Sequence, residues 1–116
     1  MERCVEIIRA ADEPGAINGV GTVHHIAFAA ADDAQQLAVQ AELRRRSVQV
    51  TDVLDRQYFH SIYFREPNGV LFEVATNPPG FGVDEDVAHL GRALKLPPWE
   101  EPHRAAIEEV LPPVRY

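Results

Sequence analysis

The stretch Tyr58 to Thr76, YFHSIYFREPNGVLFEVAT, holds two strand-like runs and a turn. Tyr58 to Arg65 and Val70 to Thr76 are rich in aromatic and β-branched residues, which suit a pleated, half-buried surface. Pro67-Asn68-Gly69 between them has the chemistry of a tight turn, so the pair is expected to be antiparallel. One residue breaks the pattern. Glu73 sits inside Leu71-Phe72-Glu73-Val74-Ala75, and a carboxylate in an apolar strand costs several kcal/mol unless it is paired, protonated or bound to a cation.

Upstream, Thr22 to Ala29 (TVHHIAFA) is too apolar for an exposed segment and predicts a buried strand with His24 and His25 at its middle. Because strand side chains alternate, the two imidazoles should point to opposite faces, so that only one serves a given cavity. Asp32 and Asp33 can cap a helix over Ala34 to Arg46, with Leu37, Ala41 and Leu43 on its apolar face. Its closing Arg44-Arg45-Arg46 suits the negative end of the helix dipole better than it suits a ligand patch. Val48 to Leu54 supplies a further strand. The order strand, helix, strand, strand, strand defines an α+β module.

Outside this core, Cys4 to Ile8 predicts a short strand and Asp12 to Gly21 a loop. Asn77-Pro78-Pro79-Gly80 ends the strand pattern, and beyond it Glu85 to Leu94 and Glu101 to Val110 predict two short helices in a tail that wraps the module. Trp99, flanked by prolines, is expected to dock that tail. The expected division is 1–20 strand and linker, 21–77 module, 78–116 tail.

Composition narrows the function classes. The 116 residues carry 11 basic and 18 acidic side chains, a formal charge of -7, which provides no positive field for nucleic acid or anionic lipid. The single cysteine, Cys4, excludes an internal disulfide and a paired-cysteine metal motif, and it reads as a small structural residue. No apolar run approaches the ~20 residues that span a bilayer. A cytoplasmic protein without membrane or nucleic-acid partners is expected.

Glu73 needs a positive partner, and the candidates on neighbouring strands are a histidine-bound metal, Arg56 or Arg65. Spacing leaves two arrangements open: His25 and Glu73 sharing a metal, or a structural Glu73–Arg56 pair with His25 hydrogen-bonded in the core.

The segments GTVHHIAF (21–28), DRQYF (55–59), SIYFREP (61–67), GVLFE (69–73) and LPPW (96–99) together resemble the C-terminal part of the ring-cleaving hydroquinone dioxygenases of the vicinal oxygen chelate superfamily. The resemblance runs from about Val5 almost to the C-terminus. It implies a βαβββ module, a mononuclear Fe(II) or Mn(II), and His25 and Glu73 as two of the metal ligands. It further implies that His24, Arg56 and Tyr63 surround a bound hydroquinone, with Tyr63 donating to a substrate oxygen and Arg56 holding anionic charge. His60, His89 and His103 match no ligand position.

Members of that family chain four such modules, and another module supplies their second histidine ligand. One module forms half of a cup-shaped barrel, so a homodimer or a complementary module is expected to close it. Two copies would give a two-histidine, two-glutamate site like that of glyoxalase I. The expected function is therefore a metal-dependent dioxygenase-like protein using dioxygen and a hydroquinone-type aromatic. A homodimeric glyoxalase-type lyase or isomerase, and a non-catalytic module of the bleomycin-resistance kind, are the rivals.

Overall fold

The computed structural model describes Val5, Glu6, Ile8 and residues 19–112. Within them β1 (Ile26–Ala30), α1 (Asp33–Arg45), β2 (Leu54–Asp55), β3 (Phe59–Arg65) and β4 (Leu71–Pro79) form the module, and α2 (Arg104–Val110) lies in the tail. The sheet order is β1-β4-β3-β2. β1 runs parallel to β4, whereas β3 is antiparallel to both β4 and β2. The α+β fold and the βαβββ order expected from the sequence are both present.

Alternation along β3 and β4 sorts the sheet into two faces. Ile62 and Val74, paired across the strands, join Ala30 in the core, and Val39 and Leu43 of α1 pack against them with Val50 and Phe64. Ser61, Tyr63 and Glu73, one residue out of phase, belong to the opposite face.

α1 starts where Asp32 accepts from the Gln35 amide at 2.8 Å, and its last turn carries Arg44 and Arg45. The buried face differs from the expected one. Leu37 is 50% exposed and Ala41 is also exposed, while Gln36 and Gln40 are buried. The reason lies in the sheet beneath. A register shift between Phe59 and Ser61 disturbs the β3–β4 ladder, and Gln36 Nε2 donates to the carbonyls of His60 and Val74, each at 2.8 Å. Gln40 Nε2 likewise donates to Thr51 O at 2.7 Å. Satisfying backbone acceptors outweighs burying one more leucine.

Three further expectations are corrected. The strand expected over Val48–Leu54 is reduced to β2 and an isolated Val50–Phe64 bridge, because the Thr51 hydroxyl accepts from the Tyr63 amide and so replaces a ladder bond. β4 continues beyond Thr76 to Pro79, which pairs with Phe59 at the strand end, where a missing N–H is tolerated. The helix expected over Glu85–Leu94 is only a 3-10 turn, Val87–His89, bounded by the Asp86 side-chain cap and by Gly91 at φ 79°. The helix expected over Glu101–Val110 is present as a 3-10 turn running into α2.

The tail contacts the module through Tyr58, whose ring stacks on Phe81 and whose hydroxyl donates to Asp84 at 3.0 Å. Trp99 is half exposed. No helix among the described residues is long and apolar enough to cross a membrane. The strand expected over Cys4–Ile8 and the loop over Asp12–Gly21 fall mostly outside the described residues, Cys4 included; Val5, Glu6 and Ile8 belong to no strand, and Gly19–Thr22 forms a turn.

Candidate functional site

Register assembles the site. Glu73 lies opposite Tyr63 on β3 and opposite Ala27 on β1, so the central strand presents its carboxylate between two neighbours. His25 lies just ahead of β1 and approaches this carboxylate. Its Nε2 stands 2.8 Å from Glu73 Oε2.

Glu73 is 4% exposed, yet it is fully partnered. Oε1 accepts hydrogen bonds from the Ser61 hydroxyl and, at 2.8 Å, from the Tyr63 hydroxyl. Two hydroxyl donors on one oxygen and an imidazole on the other compensate a buried carboxylate without any arginine. The alternative Glu73–Arg56 pair is not formed. Arg56 instead places its guanidinium carbon 5.6 Å from the centroid of the Tyr63 ring, a cation–π contact. Tyr63 also lies edge-on to His25, with ring centroids 6.2 Å apart.

The expectation that His24 and His25 face opposite sides is overturned. β1 begins only at Ile26, opposite Phe72, so no ladder enforces alternation on the two histidines. Their Nδ1 atoms approach to 2.8 Å, a hydrogen bond in which one ring donates and the other accepts. His24 thereby fixes the ring of His25 and leaves Nε2 directed at Glu73.

The structure thus brings together His25, Glu73 and Tyr63, with His24 behind His25 and Arg56 over Tyr63. Ser61 was missed by sequence reasoning. The sequence puts it two residues before Tyr63 and so on the Tyr63 face of its strand, and the register alone adds Glu73 to that face. His60 binds Asp33 at 2.7 Å and His89 binds Asp86 at 3.1 Å, both away from this cluster.

The donor set suits a divalent cation. Two ligands at right angles in an octahedral site, each about 2.1 Å from the ion, stand about 3 Å apart, so a cation could replace the direct 2.8 Å contact of His25 with Glu73 after a small shift. Among the described residues no three His, Cys, Asp or Glu side chains are grouped to hold a metal, so the module offers two such donors. A cleft of about 650 Å³, lined by Val48, Val50, Thr51, Phe64 and Leu71, has Tyr63 in its wall, while His25, Glu73, Ser61 and Arg56 do not line it.

Comparison with known proteins places the module in a family. The profile of the Glyoxalase/Bleomycin resistance protein/Dioxygenase superfamily matches residues 1–74, and the chain belongs to that superfamily. It is 48% identical over 102 residues to "Putative ring-cleaving dioxygenase MhqE" of Bacillus subtilis strain 168, covering 86% of this chain and 33% of that one. With the chlorohydroquinone/hydroquinone 1,2-dioxygenase of Sphingobium indicum it shares 42% identity over 83 residues, 69% of this chain and 25% of the other. A Bacillus subtilis crystal structure described as a "putative dioxygenase" matches with a TM-score of 0.79 at 50% identity, over 84% of this chain and 32% of that one. The chain spans about a third or less of the length of these relatives.

Proposed function

We propose that this chain is a metal-binding module of a ring-cleaving dioxygenase acting on hydroquinone-type aromatics, with His25 and Glu73 as protein ligands to Fe(II) or Mn(II). The observation that carries this reading is the buried Glu73 carboxylate facing His25 Nε2 at 2.8 Å, a bite that fits one cation. Names of relatives supply the substrate class, since one of them is a hydroquinone 1,2-dioxygenase. The remaining ligands come from outside the described residues, either from a second copy of the chain or from another module.

When bound, the metal polarises the substrate hydroxylate and gives dioxygen a place to react. The chain's own groups prepare that chemistry. His24 holds the His25 ring through the Nδ1 contact, which leaves Nε2, now paired with Glu73 Oε2, as the atom a cation would meet. Ser61 and Tyr63 hold Glu73 Oε1, so the carboxylate stays oriented in a place that water barely reaches. Tyr63, whose hydroxyl donates to Glu73 Oε1, would turn that proton to an oxygen of the aromatic ligand. Arg56, stacked on that ring, favours an anionic form of the ligand beside it.

The test is oxygen uptake with substituted hydroquinones after anaerobic loading with Fe(II), alongside calorimetric titration with Mn(II). Metal binding is expected to be lost in His25→Ala and Glu73→Ala and retained in His60→Ala. Oxygen uptake, weak in a module that provides only two ligands, is expected to depend on the metal and on His25. Binding of Mn(II) unchanged in both ligand variants would refute the reading. Metal binding accompanied by isomerisation of an α-oxoaldehyde hemithioacetal to a 2-hydroxy thioester, with no oxygen uptake, would favour a glyoxalase-type enzyme instead.

A further inference from the structure

The two oxygens of Glu73 are treated differently. Oε2 faces His25, whereas Oε1 collects both hydroxyl donors. Those donors are not equivalent. Ser61 is 0% exposed, and its hydroxyl makes one hydrogen bond among the described residues, to Glu73. Tyr63 is half-buried, borders the open cleft and carries the Arg56 guanidinium over its ring.

We infer that Ser61 is the positioning residue of Glu73: a fixed donor that occupies Oε1 and leaves Oε2 as the oxygen offered to a cation. Tyr63 is the exchangeable donor, able to leave Oε1 for the oxygen of an incoming ligand. The cation in this statement rests on the metal-site reading above; the fixed hold on Oε1 does not. Without Ser61 the carboxylate loses its permanent anchor, and the broad, roughly two-fold torsion of its terminal bond lets either oxygen turn toward His25. With Ser61 in place, Tyr63 can depart without releasing the carboxylate, so ligand entry and metal retention become separable tasks.

The experiment uses the full chain in two states, with Ser61→Ala, Ser61→Thr, Tyr63→Phe and Glu73→Gln compared to wild type. Mn(II) binding is followed by the paramagnetic resonance of the free ion. In the metal-free state, the carboxyl carbon signal of Glu73 is followed by NMR on glutamate-labelled chain, assigned by its loss in Glu73→Gln. Ser61→Ala is expected to weaken Mn(II) binding at least ~10-fold, the usual loss when a group supporting a ligand is removed, and to displace the Glu73 carboxyl signal. Ser61→Thr, which keeps the hydroxyl, should return binding to within ~3-fold and restore the signal, and Tyr63→Phe should also stay within ~3-fold. Wild-type affinity and an undisplaced signal in Ser61→Ala would overturn the inference. So would a Tyr63→Phe variant that matches Ser61→Ala in both readouts.

If wild type and Glu73→Gln bind Mn(II) equally, the metal reading fails on its own. The carboxyl signal then decides the role of Ser61, and an unmoved signal in Ser61→Ala rejects it. Should the threonine methyl prevent folding, as judged from the amide spectrum, Ser61→Cys replaces it. That variant keeps the shape with a weaker donor, so it should fall between wild type and alanine; equality with wild type in both readouts would reject a hydrogen-bonding role.

Discussion

Replacing Glu73 by glutamine separates the charge of this side chain from its shape. The amide oxygen of glutamine can accept from Ser61 and Tyr63 as Oε1 does now. What is lost is the charge assistance, since hydrogen bonds to charged groups contribute about 1.5–3 kcal/mol and neutral ones about 0.5–1.5 kcal/mol. Against that loss stands the relief of no longer burying a charge that is 4% exposed. The two terms are of similar size, so Glu73→Gln should alter stability by no more than about 1 kcal/mol, or about 4 °C in melting temperature for a chain of this size. Glu73→Ala is different. It strands the fully buried Ser61 hydroxyl, at about 1–3 kcal/mol, and opens a cavity, so a loss of about 2–5 kcal/mol is expected. In metal binding the order changes: both variants should lose Mn(II), because a neutral amide is a poor replacement for a carboxylate ligand. Thermal melts without metal and calorimetric titration with Mn(II) measure the two effects. Retained Mn(II) affinity in Glu73→Gln would refute Glu73 as a ligand. A glutamine variant as unstable as the alanine one would show that the carboxylate serves the fold through its pairing with His25.

Other outcomes follow from the helix, the tail contact and the helix end. Gln36→Ala should cost about 1–3 kcal/mol by removing a buried hydrogen bond to Val74 O and a part-buried one to His60 O, offset in part by the loss of the buried Oε1, which has no partner among the described residues, whereas half-exposed Leu37→Ala should cost less than about 1 kcal/mol, both read from denaturant melts. Burial, and secondarily the Asp84 hydrogen bond, raises the Tyr58 pKa above 10.0. Its contribution is therefore complete below pH 10 and is lost as pH rises through the higher folded value, so Tyr58→Phe should melt with a flatter alkaline limb than wild type; identical limbs would contradict this. Hydrogen bonds from Arg45 and then Arg46 lower the Glu42 pKa from 4.5 to about 2. The difference in amide exchange at the end of α1 between wild type and Glu42→Gln should thus be constant above pH 4.5 and vanish as pH falls through about 2; a gap that persists in stronger acid would reject the assignment.

Much of the module was legible because its signals are local. The hairpin around Pro67-Asn68-Gly69, the Asp32 cap and the misplaced carboxylate in Leu71-Phe72-Glu73-Val74-Ala75 each follow from a few neighbouring residues, and the structure agrees with all three. Features that depend on distant partners were not legible. Gln36 looks like a solvent-facing residue until the carbonyls of His60 and Val74 appear beneath it. Leu37 looks like core for the same reason in reverse. The two histidines were misjudged because the start of the β1 ladder is set by Phe72 on another strand, not by the β propensity of Thr22-Val23. Ser61 carries no charge to attract attention, and its importance emerges only from the register that brings Glu73 within reach of its strand. Arg56 illustrates the limit of charge matching: the sequence offers it to Glu73, and the fold stacks it on Tyr63.

The central claim is that His25 and Glu73 share one divalent cation, and anomalous diffraction at the manganese edge from crystals of the chain grown with Mn(II) tests it most directly. A single strong peak is expected about 2.0–2.2 Å from both His25 Nε2 and Glu73 Oε2, with Ser61 and Tyr63 still on Oε1. A map without that peak, in which His25 Nε2 remains hydrogen-bonded to Glu73 Oε2 at saturating Mn(II), would contradict it.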